Sequence, residues 1–217
     1  VGVLESAAGS IVQVEHKLYL PESLFALDRS ARAEELQLST ATLTYTVSSA
    51  CPVLSLNLDI HNQSKDHRLR LGFRPFAIER ILVRDVQGYI ERPLRQPDHW
   101  RCTYTQPHSG WLLLQGPQRQ RLSIFALGLR EYELAEDGTL FITVLRCVDW
   151  ISRADLSTRR FAAGPAVYIP EAQMMGHWQF RMAVGLLEDP GQCESEFKRW
   201  AVPPVVYQNL EKVLAHA

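Results

Sequence analysis

Leu54, Leu56, Leu58 and Ile60 occupy alternate positions, with Ser55, Asn57 and Asp59 between them. Side chains on a strand point to its two faces in turn. This run can therefore bury one sheet face and wet the other, whereas a helix would scatter its leucines around the cylinder. The same period of two recurs along the chain. Val12, Val14, Leu18 and Leu20 alternate with polar neighbours until Pro21 stops the run. Leu36 and Leu38 are followed by Ala41, Leu43, Tyr45 and Val47, a one-residue slip in apolar phase that predicts a β-bulge in a long bent strand. Further strands are predicted over 76–86, 88–90, 100–104, 111–115, 121–127, 131–134 and 139–145, and through Trp178, Phe180, Met182 and Val184. Asp137-Gly138 marks a hairpin turn. Helical spacing shows only in the tail, at Val206, Leu210, Val213 and Leu214 after Pro203-Pro204. Many strands without intervening helices predict an all-β fold, a large antiparallel β-sandwich with a short C-terminal helix. No repeat or linker interrupts the chain, so residues 1–217 read as a single β-sandwich domain.

The charged half of one strand raises a different question. Between Asp66 and Arg74, His67, Leu69, Leu71 and Phe73 share one face, while Arg68, Arg70 and Arg74 share the other. A guanidinium stripe beside an apolar stripe needs solvent, carboxylates or a partner surface. Two readings stand: a half-exposed strand with solvated arginines, or a sheet face built to meet another domain or an acidic or hydroxylated ligand. The whole chain gives no general pull toward polyanions. Its net charge is −1, with 46% hydrophobic and 22% charged residues, which points away from nucleic acid and anionic membranes. No apolar run is long enough to span a bilayer. Cys51, Cys102, Cys147 and Cys193 are widely spaced with no Cys-x-x-Cys pair, as expected of a cytoplasmic protein; Cys102 and Cys147, in strand-like segments, read as core thiols, and counting alone leaves a disulfide pairing open. The opening Val1-Gly2-Val3-Leu4-Glu5-Ser6 has neither an initiator Met nor a signal-peptide pattern, and reads as the start of a fragment of a longer polypeptide.

Catalytic chemistry is poorly represented. His61, His67 and the Asp98-His99 pair lack the spacing of a zinc ligand set. There is no Gly-x-Ser-x-Gly elbow, and nothing beside Ser109 supplies an orienting acid. Glu91, Asp149, Asp155 and Glu171 could serve a two-carboxylate glycosidase, yet each sits as readily in an ion pair with the abundant arginines. Binding chemistry is better provided for. Trp100, Tyr104, His108 and Trp111 cluster around Gln106-Pro107, either as a sugar platform or as an aromatic plug at one end of a sandwich.

Six short segments, taken in order, narrow the field. They are Asn62 with Asp66-His67-Arg68-Leu69-Arg70; Glu91-Arg92-Pro93; Gln106-Pro107-His108 with Gly110-Trp111; Gly138-Thr139-Leu140 leading to Leu145-Arg146; Ser152-Arg153-Ala154-Asp155-Leu156; and Pro170-Glu171-Ala172-Gln173 with Gly176-His177. This series resembles the C-terminal β-sandwich of glycoside hydrolase family 38 α-mannosidases, in the bacterial branch that includes mannosylglycerate hydrolase. The resemblance implies a galactose-mutarotase-like supersandwich packed on an N-terminal α/β barrel of the same polypeptide. That barrel carries a zinc ion and an aspartate nucleophile, neither of which has a counterpart here, so no catalytic residue, metal or cofactor is expected in this chain. It also implies a carbohydrate substrate at a shared rim, with Arg146 as the arginine near the sugar and His108, Trp111, Arg153 and Asp155 beside it. Arg146 has an equally good alternative in a salt bridge to Asp149 or Asp155. Asp66, His67, Arg68, Arg70, Arg74, Glu91 and Arg92 are then structural or interface residues, the arginines answered by carboxylates. A non-catalytic carbohydrate-binding or interaction module is the rival function. An aldose-epimerase-like enzyme, needing a paired His and carboxylate in one cleft, is a third.

Overall fold

The computed structural model describes residues 1–6, 9–25, 29–49, 51–95, 105–156 and 160–202. In chain order its strands are β1 (Gly2–Ser6), β2 (Gly9–Pro21), β3 (Leu36–Ser48), β4 (Val53–Asn62), β5 (Arg68–Phe73), β6 (Arg80–Asp85) and β7 (Gly88–Arg92). They continue with β8 (Gln106–Pro107), β9 (Trp111–Gln115), β10 (Arg121–Leu127), β11 (Glu131–Leu134), β12 (Leu140–Arg146) and β13 (Gly176–Gly185), and helix α1 (Pro190–Ala201) follows. Nine strands form one antiparallel sheet in the order β1-β2-β3-β4-β13-β10-β9-β6-β7, and four form a second in the order β5-β12-β11-β8.

The alternating leucines explain how the sheets stack. Leu56, Leu58 and Ile60 of β4 meet Tyr132, Leu140, Ile142 and Leu145 of the small sheet in the main core, with Leu69, Leu71 and Phe73 of β5 packed against it. Strand β9 is instead a continuous apolar run, Trp111-Leu112-Leu113-Leu114, because both of its faces are covered. Leu112 and Leu114 face the small sheet. Trp111 and Leu113 face a second core, where Cys193 and Phe197 of α1 pack on Val53, Leu82 and Phe125. At 25 cal/mol per Å² such fully buried leucines each contribute about 2 kcal/mol.

Three sequence expectations need correction. Strand β3 pairs with β2 in unbroken register from Ser48 to Leu36, so the apolar slip is no bulge. Ser39, Ala41 and Leu43 keep one parity toward the core, and Leu36 and Leu38 simply lie on the other face, where they are exposed. The irregularity falls in β12 instead, between Thr143 and Leu145. The strand predicted over 76–86 is confined to Arg80–Asp85. The described helix starts earlier than the predicted one: Asp189 caps it by accepting from the Gln192 N–H at 2.9 Å, and Pro190 supplies the first-turn residue that lacks an N–H. The tail spacing at 206–214 and the strand at 100–104 lie outside the described residues. No described helix is long and apolar enough to cross a membrane.

Candidate functional site

Strand β12 ends at Arg146, and the chain beyond it is tied into a loop at one end of the sandwich. The Cys147 N–H donates to the His67 carbonyl at 2.9 Å, the Ile169 N–H donates to the Asp149 carbonyl at 2.7 Å, and the Ser152 hydroxyl accepts from the Ala163 N–H at 2.9 Å. Trp150 and Tyr168 meet across this loop with ring centroids 5.4 Å apart. The loop borders a cleft of about 340 Å³ lined by Leu24, Arg29, Arg146, Asp149, Trp150, Arg153 and Asp155, among others. Arg146, Arg153 and Asp155 of the sequence analysis therefore come together.

Charge within the cleft is shared unevenly. Arg29 reaches across to pair with Asp149 at 3.0 Å and with Asp66 at 2.9 Å. Arg153 pairs with Asp155 through both carboxylate oxygens, and its hydrogen bonds hold that carboxyl down at about 2. Arg146 is exposed and makes no ion pair among the described residues, because both carboxylates of its alternative reading are taken by other arginines. A guanidinium with free donors beside an indole can hold vicinal hydroxyls or an acid group.

Asp66 organises the base of this end. Its backbone is left-handed, with φ at 54°. Its carboxylate accepts from the Leu24 N–H at 3.2 Å, from Arg29 at 2.9 Å and from the Gln173 amide at 2.8 Å, while its own N–H donates to Gln173 Oε1 at 2.8 Å. Burial opposes ionisation, but the bonds from Gln173 and Leu24 and the charge of Arg29 outweigh it and hold the carboxyl below its ordinary value. Burial drives the His67 pKa below its ordinary value, and its Nε2 lies 3.8 Å from Cys147 Sγ.

The other candidates lie elsewhere. Arg68 and Arg70 sit on the outer face of the small sheet, where Arg68 pairs with Glu131 and Glu133 and Arg70 pairs with Glu133 at 3.2 Å. Arg74 stands 3.8 Å from Asp137 at an exposed hairpin end. Glu91 pairs with Arg80 at 2.6 Å across β6 and β7, and Arg92 follows on the same edge strand. His108 and Trp111 are corrected as rim residues, since they are 4% and 1% exposed and have no surface to offer a sugar. His108 follows β8 where the chain crosses between sheets, and burial drives its pKa down to about 4. Trp111 lies under α1 and donates its indole N–H to Glu194 at 2.9 Å. Trp100 and Tyr104 fall outside the described residues.

Among the described residues no three His, Cys, Asp or Glu side chains gather to hold a metal ion. His61 and His177 stack face to face at 4.1 Å, which keeps their in-plane lone pairs parallel rather than convergent. Among the described residues no histidine lines the Arg146 cleft, so they do not assemble the His–carboxylate pair of an epimerase-like site there. Sequence reasoning missed Arg29, whose bridge to Asp149 spans 120 positions and leaves no local signal.

Comparison with known proteins bears on all of this. No family model matches the chain. A stretch of 132 residues, 57% of the chain, is 30% identical to a candidate mannosylglycerate hydrolase of Halalkalibacterium halodurans, of which it covers 14%. An α-mannosidase of Enterococcus faecalis V583 matches in structure with a TM-score of 0.76 and 24% identity, over 91% of this chain and 23% of that one. A glycosyl hydrolase family 38 protein of Enterococcus faecalis gives a TM-score of 0.73 at 23% identity, over 91% of this chain and 24% of its own. The chain thus spans under a quarter of the solved structures it matches. In fold it resembles part of the chains of glycoside hydrolase family 38 α-mannosidases.

Proposed function

We propose that this chain is the accessory, C-terminal β-sandwich of an α-mannosidase-like glycoside hydrolase acting on α-mannosides or on a mannosylated small acid such as mannosylglycerate. The observation that carries the reading is one-sided coverage: 91% of this chain lies on 23% of an α-mannosidase. The zinc and the carboxylate nucleophile implied by the family belong to a catalytic barrel outside this chain, and no step through either is assigned to the residues described. What the chain contributes is a rim. Arg29, Asp66 and Asp149 fix the loop, Trp150 offers an apolar face, and Arg146 presents its free donors to a hydroxyl pair or carboxylate of the substrate.

The test has two arms. The purified 217-residue chain is expected to give no turnover of an aryl α-mannoside, and clear turnover would overturn the division of labour. In a polypeptide that also carries the barrel, Arg146→Ala is expected to lower kcat/KM about tenfold or more, equivalent to about 1.4 kcal/mol, with the circular dichroism spectrum unchanged. The rival reading as a free-standing carbohydrate-binding module draws on the same open cleft. Calorimetric titration with mannose and mannosylglycerate separates them, because binding at about 1 mM or tighter without a barrel would favour the module.

A further inference from the structure

Three buried polar atoms along one edge of the sandwich have no hydrogen-bond partner among the described residues: Arg92 Nε, His108 Nε2 and the Tyr132 hydroxyl. The topology brings their residues together. Arg92 lies opposite Ile81 in the β6–β7 pair, and Ile81 faces the inter-sheet core, so Arg92 projects inward from the edge strand of the large sheet. Tyr132 projects inward from β11, the neighbour of edge strand β8, and is 1% exposed. His108 follows β8 directly, is 4% exposed, and holds its ring 6.2 Å from that of Tyr132.

The three atoms are donors. His108 Nδ1 accepts from the Gly110 N–H at 3.3 Å, so the neutral ring carries its proton on Nε2. An arginine Nε–H can only donate, and a tyrosine hydroxyl can donate as well as accept. Unmet buried donors each carry a penalty that a native fold ordinarily relieves with an acceptor. The local field selects the kind of acceptor. Arg92 makes no ion pair among the described residues, and neither does Arg130, whose charge reaches His108 as that of Arg92 reaches Tyr132.

We propose that Arg92, His108 and Tyr132 bind a small monovalent anion of halide size at the β7–β8 edge of the sandwich, a site separate from the Arg146 cleft. A halide accepts from several donors at once and answers the guanidinium charge, whereas a water would leave that charge unmet. This site does not depend on the α-mannosidase reading.

Bromide is the probe. Thermal unfolding of the 217-residue chain is followed while sodium bromide replaces sodium methanesulfonate at constant sodium concentration. The wild type is expected to show a saturable rise in Tm of roughly 3–8 °C. Tyr132→Phe, which keeps the ring, and Arg92→Gln are each expected to abolish that rise. Without bromide, Tyr132→Phe should be neutral or stabilising, because it deletes an unmet hydroxyl. Crystals soaked in bromide should give an anomalous peak between the three side chains. Absence of a saturable response in the wild type, an equal response in both variants, or density for water or a protein carboxylate at that place would overturn the proposal.

Discussion

Arg68→Met separates the two readings of the arginine strand. The Arg68 guanidinium donates to Thr143 Oγ1 from Nε at 3.0 Å and from Nη2 at 2.8 Å, to Thr105 Oγ1 at 3.1 Å, to Glu133 at 3.3 Å, and closely to Glu131. Its side chain is 29% exposed, and those of Glu131 and Glu133 are 26% and 20% exposed. Hydrogen bonds to charged groups contribute about 1.5–3 kcal/mol when buried, and exposed ion pairs about 0.2–1 kcal/mol. A three-quarters-buried network lies between these, and methionine keeps most of the aliphatic packing. The expected loss is about 2 kcal/mol, or a Tm drop of about 4–8 °C for a chain of this size.

A double-mutant cycle with Glu133→Gln makes the test specific. Glu133 also pairs with Arg70, so its single loss is expected to be smaller, at about 1 kcal/mol. The two residues touch, so the double variant should be less destabilised than the sum by about 1 kcal/mol. Urea unfolding at low and high salt, with m unchanged, measures each corner, and the coupling should shrink only in part at high salt because the network is mostly covered. An Arg68→Met loss below about 0.5 kcal/mol with no coupling would mean that the guanidinium is solvated and the pairing carries no stability.

Two pH windows follow from depressed native pKa values. His108 titrates at about 4 in the fold against 6.5 ordinarily, so its contribution is complete above pH 6.5 and is lost as pH falls from 6.5 toward 4. Glu194, held down to about 2 chiefly by the Arg84 hydrogen bond, contributes fully above pH 4.5 and loses that contribution between 4.5 and 2. Urea midpoints measured against pH should show both limbs, with His108→Gln flattening the upper one and Glu194→Gln the lower. A flat wild-type profile from 6.5 to 4 would refute the first. Gly110→Ala places a Cβ 2.5 Å from Phe197 Cζ at a φ of 150°, and the overpacking should cost about 1–3 kcal/mol and loosen α1, read as a lower midpoint. Burial pushes the Cys193 thiol up to about 12 and Cys147 up to about 11, so neither should be alkylated in the folded chain at neutral pH, which peptide mass spectrometry checks.

Strands were legible wherever one face meets a core and the other water, as in β4. They were also legible in the apolar run of β9, because flanking Gly110 and Gly116 bound it. What period two cannot supply is the pairing order. Nothing in Val53–Asn62 says that β13, more than a hundred positions later, will be its neighbour. Helix α1 did carry a signal that was passed over: Asp189-Pro190 as cap and first residue, then Cys193, Phe197 and Trp200 at helical spacing. The cleft was half legible. Arg146, Arg153 and Asp155 cluster near in sequence, so their gathering needs only a local loop. Arg29 and Gln173 reach it through tertiary contacts alone. His108 and Trp111 misled because aromatic and imidazole rings next to a Pro-Gly turn read the same whether they plug a core or face a ligand.

Asp66 to Arg74 turns out to serve two ends of one mechanical problem. Asp66 adopts a left-handed backbone that a non-glycine residue enters only when its surroundings hold it, and three hydrogen-bond donors on two distant segments do so. Through Arg29 that carboxylate is linked to Asp149, one of the two acids that would otherwise neutralise Arg146. From Arg68 onward the same strand pairs Arg68 and Arg70 with Glu131 and Glu133 on the outer face of the small sheet. Those guanidinium groups are engaged within the small sheet, whereas Arg146, on the neighbouring strand and paired in register with Arg68, makes no ion pair among the described residues. With the strand's own arginines paired to carboxylates, Asp149 held by Arg29 and Asp155 held by Arg153, Arg146 stays open at the cleft, and the Arg146→Ala and Arg68→Met variants should therefore fail in different assays: the first in turnover with stability intact, the second in stability.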